Sequence, residues 1–316
     1  MLRQLNKMRT RRIAVIAVPT IVAAAGSIAN LYDGLTFLAT TTADAGDRWN
    51  FVETGLSDVH SFAATDTDTA GNTSVEPRPA DSTVAPPVTS FSATPRTAFY
   101  IGNDKYEVQT AGQSYSLTNP DAQTLRFEIQ PGDRAWYDSK HAVDRAEIEG
   151  KLRIPVGTVI TIDYRFMLEP GAANMASWFV TGELHNEDSE AGVPTSPPVA
   201  IELAGEHLRV VARYSPTGLK PGNPARNVKM LSLWTDPNEI QRGRYYDIKM
   251  RTNVTNSGQG FLDVWVDGVE VVNYRGPLGY GFPTYWMQGL YRSADQPLAI
   301  AANFQDLIIT TEPTPP

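Results

Sequence analysis

Three short segments of this chain set ionisable or aromatic side chains at every second position, the spacing that brings them onto one face of a β-strand. In Asp144-Arg145-Ala146-Glu147-Ile148-Glu149 the shared face carries Arg145, Glu147 and Glu149, and three charges do not make a core. Such a face is either a solvated outer surface or the polar floor of a cleft. In a cleft, a neighbouring carboxylate holds the arginine and leaves its planar fork for a carboxylate ligand. In Gly182-Glu183-Leu184-His185, which follows the apolar Trp178-Phe179-Val180, Glu183 and His185 face the same way. Histidine is the side chain suited to moving protons near neutrality, and a carboxylate beside it at the end of an apolar strand distinguishes it from a merely exposed ring. His141 is a weaker second candidate, whereas His60 and His207 have no comparable company. In Tyr285-Trp286-Met287-Gln288-Gly289-Leu290-Tyr291-Arg292 the face carries Tyr285, Met287, Gly289 and Tyr291. Taken alone this reads as core packing, except that Gly289 leaves a gap in which a ligand can approach the backbone beside a phenol.

The elements that position these residues are strands. From about Phe99 onward the chain alternates apolar and polar residues in short runs broken by Gly, Pro, Asn and Asp. Leu125, Phe127 and Ile129 alternate with Arg126, Glu128 and Gln130, and Ile160, Ile162, Tyr164 and Phe166 with Thr161, Asp163 and Arg165. Asp267-Gly268 between residues 261–266 and 269–274 suits the positive φ angles of a type I′ hairpin. A second hairpin joins residues 199–203 to 207–214, and a closing strand spans 299–310. No long amphipathic helix interrupts them. The pattern predicts an all-β fold, a concanavalin A-like jelly-roll sandwich of two antiparallel sheets over residues 99–312, with 313–316 as a tail.

Ahead of that domain, Arg3, Lys7, Arg9, Arg11 and Arg12 precede an apolar run from Ile13 to about Leu31. This reads as a signal peptide or membrane anchor over residues 1–31, forming an apolar helix, and either form exports the remainder to a secreted, periplasmic or outward-facing membrane-anchored location. Residues 32–98, rich in Thr, Ser, Pro and Asp, read as a flexible linker. The formal charge of −8 and the absence of a Lys/Arg cluster beyond the first dozen residues argue against nucleic acid as a partner. With no cysteine there is no thiolate metal site, disulfide or Cys nucleophile. Nothing in the sequence requires a cofactor; the carboxylates Asp104, Glu187, Asp188 and Glu190 admit calcium in loops, without a diagnostic spacing.

In order along residues 125–310, these segments resemble the heparin lyase I-like polysaccharide lyases, and at three motif sites they are similar to the jelly-roll alginate lyases. The resemblance rests on residues 127–133 (FEIQPGD), on 144–147 (DRAE), and on 260–276 with VWVDG leading into 285–292. The alginate lyase pattern reads Arg-x-Glu-x-Arg, Gln-x-His and Tyr-Phe-Lys-Ala-Gly-x-Tyr. Arg145 and Glu147, His185, and Tyr285, Gly289 and Tyr291 match it, while Glu149, Glu183 and Met287 stand where Arg, Gln and Lys are usual. An ionised Glu183 would repel a substrate carboxylate unless protonated or turned away.

The resemblance implies β-elimination on an acidic polysaccharide, in which a base removes the proton α to a uronate carboxylate and an acid assists the leaving glycosidic oxygen. Arg145 would neutralise the carboxylate, and His185 and Tyr291 would share base and acid work. Glu147, Glu149, Glu183, Tyr285, Gln288, His141 and Trp136 would contact substrate. Trp136, Tyr137, Trp178 and Trp286 read either as core or as walls for sugar rings. Two other readings fit the same fold: a non-catalytic carbohydrate-binding module, and a laminarinase-like glycoside hydrolase using Glu147 and Glu149 as paired carboxylates.

Overall fold

A computed structural model describes residues 13–16, 26–33, 36–44, 51–54, 62–67, 85–138, 142–188, 195–217 and 227–312. The chain divides between Val84 and Ala85 into two compact units. The first contains β1 (Ile13–Ile16), β2 (Ile28–Asp33), β3 (Thr36–Thr42), β4 (Phe51–Thr54) and β5 (Phe62–Thr67). Strand β1 pairs with β4, and β2 lies between β3 and β5. The N-terminal apolar helix is thereby corrected: residues 13–16 and 28–31 of that run are in strands, and its residues 17–25 lie outside the described residues. β-Branched residues such as Ile13, Val15 and Ile28 lose less in a strand than in a helix. Among the described residues no helix is long and apolar enough to cross a membrane. The stretch read as a linker holds β3, β4 and β5 among its described residues.

The second unit begins with β6 (Val88–Thr89), β7 (Ala98–Ile101), β8 (Asp104–Thr110), β9 (Leu117–Asp121), β10 (Thr124–Ile129), β11 (Val143–Gly150), β12 (Val159–Leu168) and β13 (Phe179–Asn186). It continues with β14 (Val199–Ala204), β15 (His207–Tyr214), β16 (Lys229–Thr235), β17 (Tyr246–Asn253), β18 (Phe261–Val266), β19 (Val269–Arg275), β20 (Thr284–Ser293) and β21 (Ile300–Thr311). One sheet runs β19-β18-β17-β12-β21-β10-β9 and the other β16-β15-β14-β13-β20-β11-β8-β7-β6. Their strand pairs are antiparallel, as the predicted sandwich requires.

Period-two alternation explains why the two sheets pack. Phe127, Ile129, Ile162, Phe166, Val264 and Phe304 of the seven-stranded sheet and Val108, Ile148, Phe179, Leu203 and Leu290 of the nine-stranded sheet belong to one buried cluster. Each such side chain contributes about 1.5–3 kcal/mol relative to exposure. The β18–β19 hairpin turns at Asp267 (φ 52°) and Gly268 (φ 77°), both left-handed as type I′ demands. With the inner face of the nine-stranded sheet committed to the core, the other face of its central strands is free to carry polar side chains.

Candidate active site

The three charged or aromatic segments become neighbours because β11, β20 and β13 lie side by side. Across β11 and β20, Arg145 faces Tyr291, Glu147 faces Gly289 and Glu149 faces Met287. Across β13 and β20, Glu183 faces Met287 and His185 faces Tyr285. The register shifts between Val180 and Gly182, so Val180 and Glu183, three residues apart, both line the same cleft. That cleft encloses about 680 Å³ and is lined by Arg145, Glu149, Glu183, His185, Tyr285 and Tyr291. Trp136, Tyr137 and Trp178 form further parts of its wall.

Arg145 is buried, with all three guanidinium nitrogens engaged. Nε donates to Asp138 Oδ2 at 2.7 Å, Nη2 to Asp138 Oδ1 at 3.4 Å, and Nη1 to Glu147 Oε2. Its fork is therefore not the open one expected for a substrate carboxylate. The guanidinium instead lies 3.6 Å from the centre of the Tyr291 ring, a cation–π contact. Burial pushes the Tyr291 phenol up to about 12, against the lowering influence of Arg145, so Tyr291 holds its proton and can act as an acid at neutral pH.

His185 is held in one tautomer. Its Nδ1 lies 2.7 Å from the Asn186 carbonyl oxygen, which can only accept, so Nδ1 carries the hydrogen and Nε2 keeps its lone pair. Burial lowers its pKa below the ordinary histidine value, so the ring is neutral and basic at pH 7. The Tyr285 hydroxyl sits 3.4 Å from the same Nδ1. A fixed neutral imidazole and a protonated phenol thus line one cleft, the pair that proton abstraction and leaving-group protonation need.

The remaining candidates separate by face. Glu149 is tied down by Gln109 Nε2 at 2.6 Å, Lys151 at 2.8 Å and Arg153 at 3.0 Å. Glu147 is wholly buried beneath Arg145. Gln288 does not reach the cleft: it is buried on the opposite face of β20, the face that carries Trp286 and Leu290 into the core. Trp286 is likewise a core residue, pressed under Gly182, where a Cβ would lie 2.7 Å from its ring. The gap expected at Gly289 is filled by protein, since a Cβ there would fall 2.7 Å from Glu147 Cα and 3.1 Å from its Cγ. Trp136 stands at the rim, edge-on to Tyr137 with ring centres 5.0 Å apart. His141 and Glu190 lie outside the described residues. Among the described residues no three His, Asp or Glu side chains gather to hold a metal ion. Glu187 pairs with Arg153, and Asp188 accepts from Thr195.

Several site residues had no place in the sequence reading. Asp138 comes from an irregular loop with no periodicity to betray it. Gln109 of β8 joins Tyr137 to Glu149. Glu202 and Arg213 line the far wall, with Glu202 bound by Arg209 at 2.5 Å and Arg213 at 3.4 Å. Glu202 did leave a signal, a single acid in the apolar run of β14.

A family profile described as polysaccharide lyase matches residues 91–306, more than half of the chain and all three site strands. The chain belongs to the polysaccharide lyase family. The lyase is similar in fold to the endo-β-1,4-glucuronan lyase of the fungus Trichoderma reesei, with 10% identity, 71% of this chain and 95% of that chain covered, and a TM-score of 0.52. The alginate lyase AlyC3 (12% identity, 63% and 79% covered, TM-score 0.46) and the alginate lyase from Corynebacterium sp. (12%, 63% and 82%, 0.44) are also similar. No curated protein sequence matches the chain. Family membership makes the protein a lyase rather than a binding module. The hydrolase reading also loses its carboxylates, because Glu147 is sealed off and Glu149 is held by three partners.

Proposed function

We propose that this lyase cleaves a uronate-containing glycan by β-elimination, with His185 as the base and Tyr291 as the acid. The observation that carries the reading is the opposite proton occupancy of these two groups in one cleft: His185 Nε2 has a free lone pair, and the Tyr291 hydroxyl keeps its proton. His185 would remove the proton α to the uronate carboxylate, and Tyr291 would protonate the departing glycosidic oxygen. Each transfer contributes about 10²–10⁴-fold. Arg145, fixed by Asp138 and Glu147, is a positioning residue that holds the Tyr291 ring and supplies a fixed positive charge near the reacting centre. Trp136, Tyr137 and Trp178 would present flat faces to neighbouring sugars.

The uronate preference draws support from the glucuronan lyase that is similar in fold, and the order of the three motifs favours the heparin lyase I-like branch of the family. The basic residues before the apolar N-terminal run favour export to where such glycans occur. The test is to incubate the full chain with a panel of uronate polymers while following the ultraviolet absorbance of the unsaturated end that elimination creates. New reducing ends without that absorbance would mean hydrolysis and end this reading.

A further inference from the structure

Two carboxyl groups lie close together near the cleft between His185 and Tyr291: Glu183 lines it, and Glu147 is sealed beneath Arg145. Glu147 is fully buried and Glu183 is 2% exposed, on strands that flank β20. Facing Glu147 on β20 is Gly289, whose missing side chain leaves room for the Glu147 Cγ. Neither carboxyl is fully engaged, since no hydrogen bond reaches Glu147 Oε1 or Glu183 Oε2.

Glu147 has Arg145 as its partner, whereas among the described residues no cation forms an ion pair with Glu183. From β11, Arg145 is committed to Asp138 and Glu147; from β15, Arg213 is committed to the Pro197 carbonyl and to Glu202 of β14. From β20 come Met287, Tyr285 and Tyr291, and from β13 itself the neutral His185. Burial disfavours the charge of both carboxyls; Glu183 adds to the difficulty of ionising Glu147, and Glu202 to that of ionising Glu183, against the lowering influence of Arg145 on both and of Arg213 on Glu183. Two carboxyls in such a place relieve the conflict by keeping a proton. A uronate arriving beside Glu183 brings a negative charge of its own, and among the described residues the cleft's two arginines are already taken.

We propose that Glu183 works as a neutral carboxylic acid and that its O–H donates a hydrogen bond to the carboxylate of the uronate being cleaved. The proposal rests on the lyase reading above and names how that site receives its substrate's charge. No proton leaves Glu183 during turnover. As the α-proton departs, negative charge accumulates on the uronate oxygens, and an O–H···O⁻ bond strengthens with it, so the contact favours the transition state over the bound substrate. Its consequence is an activity that fails on the alkaline side when the Glu183 proton is lost, far below the pH at which Tyr291 would ionise.

The experiment compares wild-type enzyme with Glu183→Gln and Glu183→Ala across a pH series on an accepted uronate polymer. Wild-type kcat/KM should fall about tenfold per pH unit above the alkaline limb. Glu183→Gln, whose amide donates at every pH, should lose that limb and exceed wild type by at least about tenfold two units above it, whereas Glu183→Ala should be depressed at every pH. A Glu183→Gln profile with the wild-type limb, or wild-type activity flat into the alkaline range, overturns the proposal. An infrared measurement on the ligand-free full chain gives an independent reading: the carbonyl band of a protonated carboxyl should be present at neutral pH and absent in Glu183→Gln. Its absence from the wild type also overturns the proposal. A wild-type chain that shows the band but eliminates no uronate polymer refutes the lyase reading instead.

Discussion

Asp144 and Arg145 are consecutive on β11, and each enters a buried ion pair, but on opposite faces of the sheet. Asp144 pairs with Arg292 at 3.0 Å, both fully buried, and also accepts the Gly132 N–H at 2.8 Å. Arg145 pairs with Asp138 and Glu147 at the edge of the cleft, with an aromatic ring against its flat side. The first pair sits away from the cleft and joins β11 to β20. The second fixes a charge beside the phenol proposed as the acid. The same chemical unit, a guanidinium on a carboxylate, is therefore buried architecture on one side of the sheet and, in the proposed chemistry, part of the reacting site on the other, and the strand's alternation decides which.

If that division holds, substitutions on the two faces should separate stability from turnover. The largest effect is expected on the cleft side: His185→Ala and Tyr291→Phe should each lower kcat by about 10²–10⁴-fold while the melting temperature stays at the wild-type value. Equal losses of kcat and melting temperature would erase the distinction. On the other face, Arg292→Met leaves Asp144 as a buried, uncompensated charge and should cost about 3–5 kcal/mol in chemical denaturation, with kcat per folded molecule kept. A fall in kcat without loss of stability would place Arg292 in the chemistry.

A smaller effect sharpens the role of His185. As a base it works when neutral, so kcat/KM should drop about tenfold per pH unit below its pKa. Burial holds that pKa down, which puts the acid limb below the ordinary histidine value of about 6.5. The sign carries over to stability: a histidine buried in neutral form favours the folded state less and less as pH falls through its unfolded pKa. A limb above the ordinary value would mean that a different group supplies the base. The smallest effect is electrostatic. Glu107, Asp138, Glu149, Glu187 and Asp188 all border the cleft, so moderate salt should lower KM for a polyanionic substrate, by about twofold, through screening of repulsion. A basic cleft would show the reverse, and a KM that rises with salt would contradict this charge arrangement.

The sandwich was legible because its physics is periodic. Leu125, Phe127 and Ile129 are buried and Arg126 and Glu128 are not, as alternation predicts, and Asp267-Gly268 turns where its φ preferences direct. The shared faces of β11 and β20 could be read in the same way, which is why Arg145, Tyr285 and Tyr291 were found. Alternation also assigns Gln288 to the core beside Trp286, so its place among the sugar contacts had no structural basis. Two kinds of information were not periodic. The register shift at Val180–Gly182 brings Val180 into the cleft, and Asp138 arrives from a loop; neither follows from a strand pattern. Nor does composition reveal that Arg145 spends its hydrogen bonds inside the protein, because that depends on Asp138 lying within reach. The N-terminal helix failed for a related reason: hydropathy alone does not distinguish an apolar helix from short apolar strands when β-branched residues are frequent.

The connection between β10 and β11 supplies Trp136, Tyr137 and Asp138 as three consecutive residues: two rings at the mouth of the cleft and the acid that grips Arg145. Lengthening or re-routing this one segment would alter the aromatic wall proposed to receive the neighbouring sugar and the anchoring of the central cation together. Variation in glycan choice through this loop is therefore bound to variation in rate, and exchanging it between relatives would transplant both properties as a single unit.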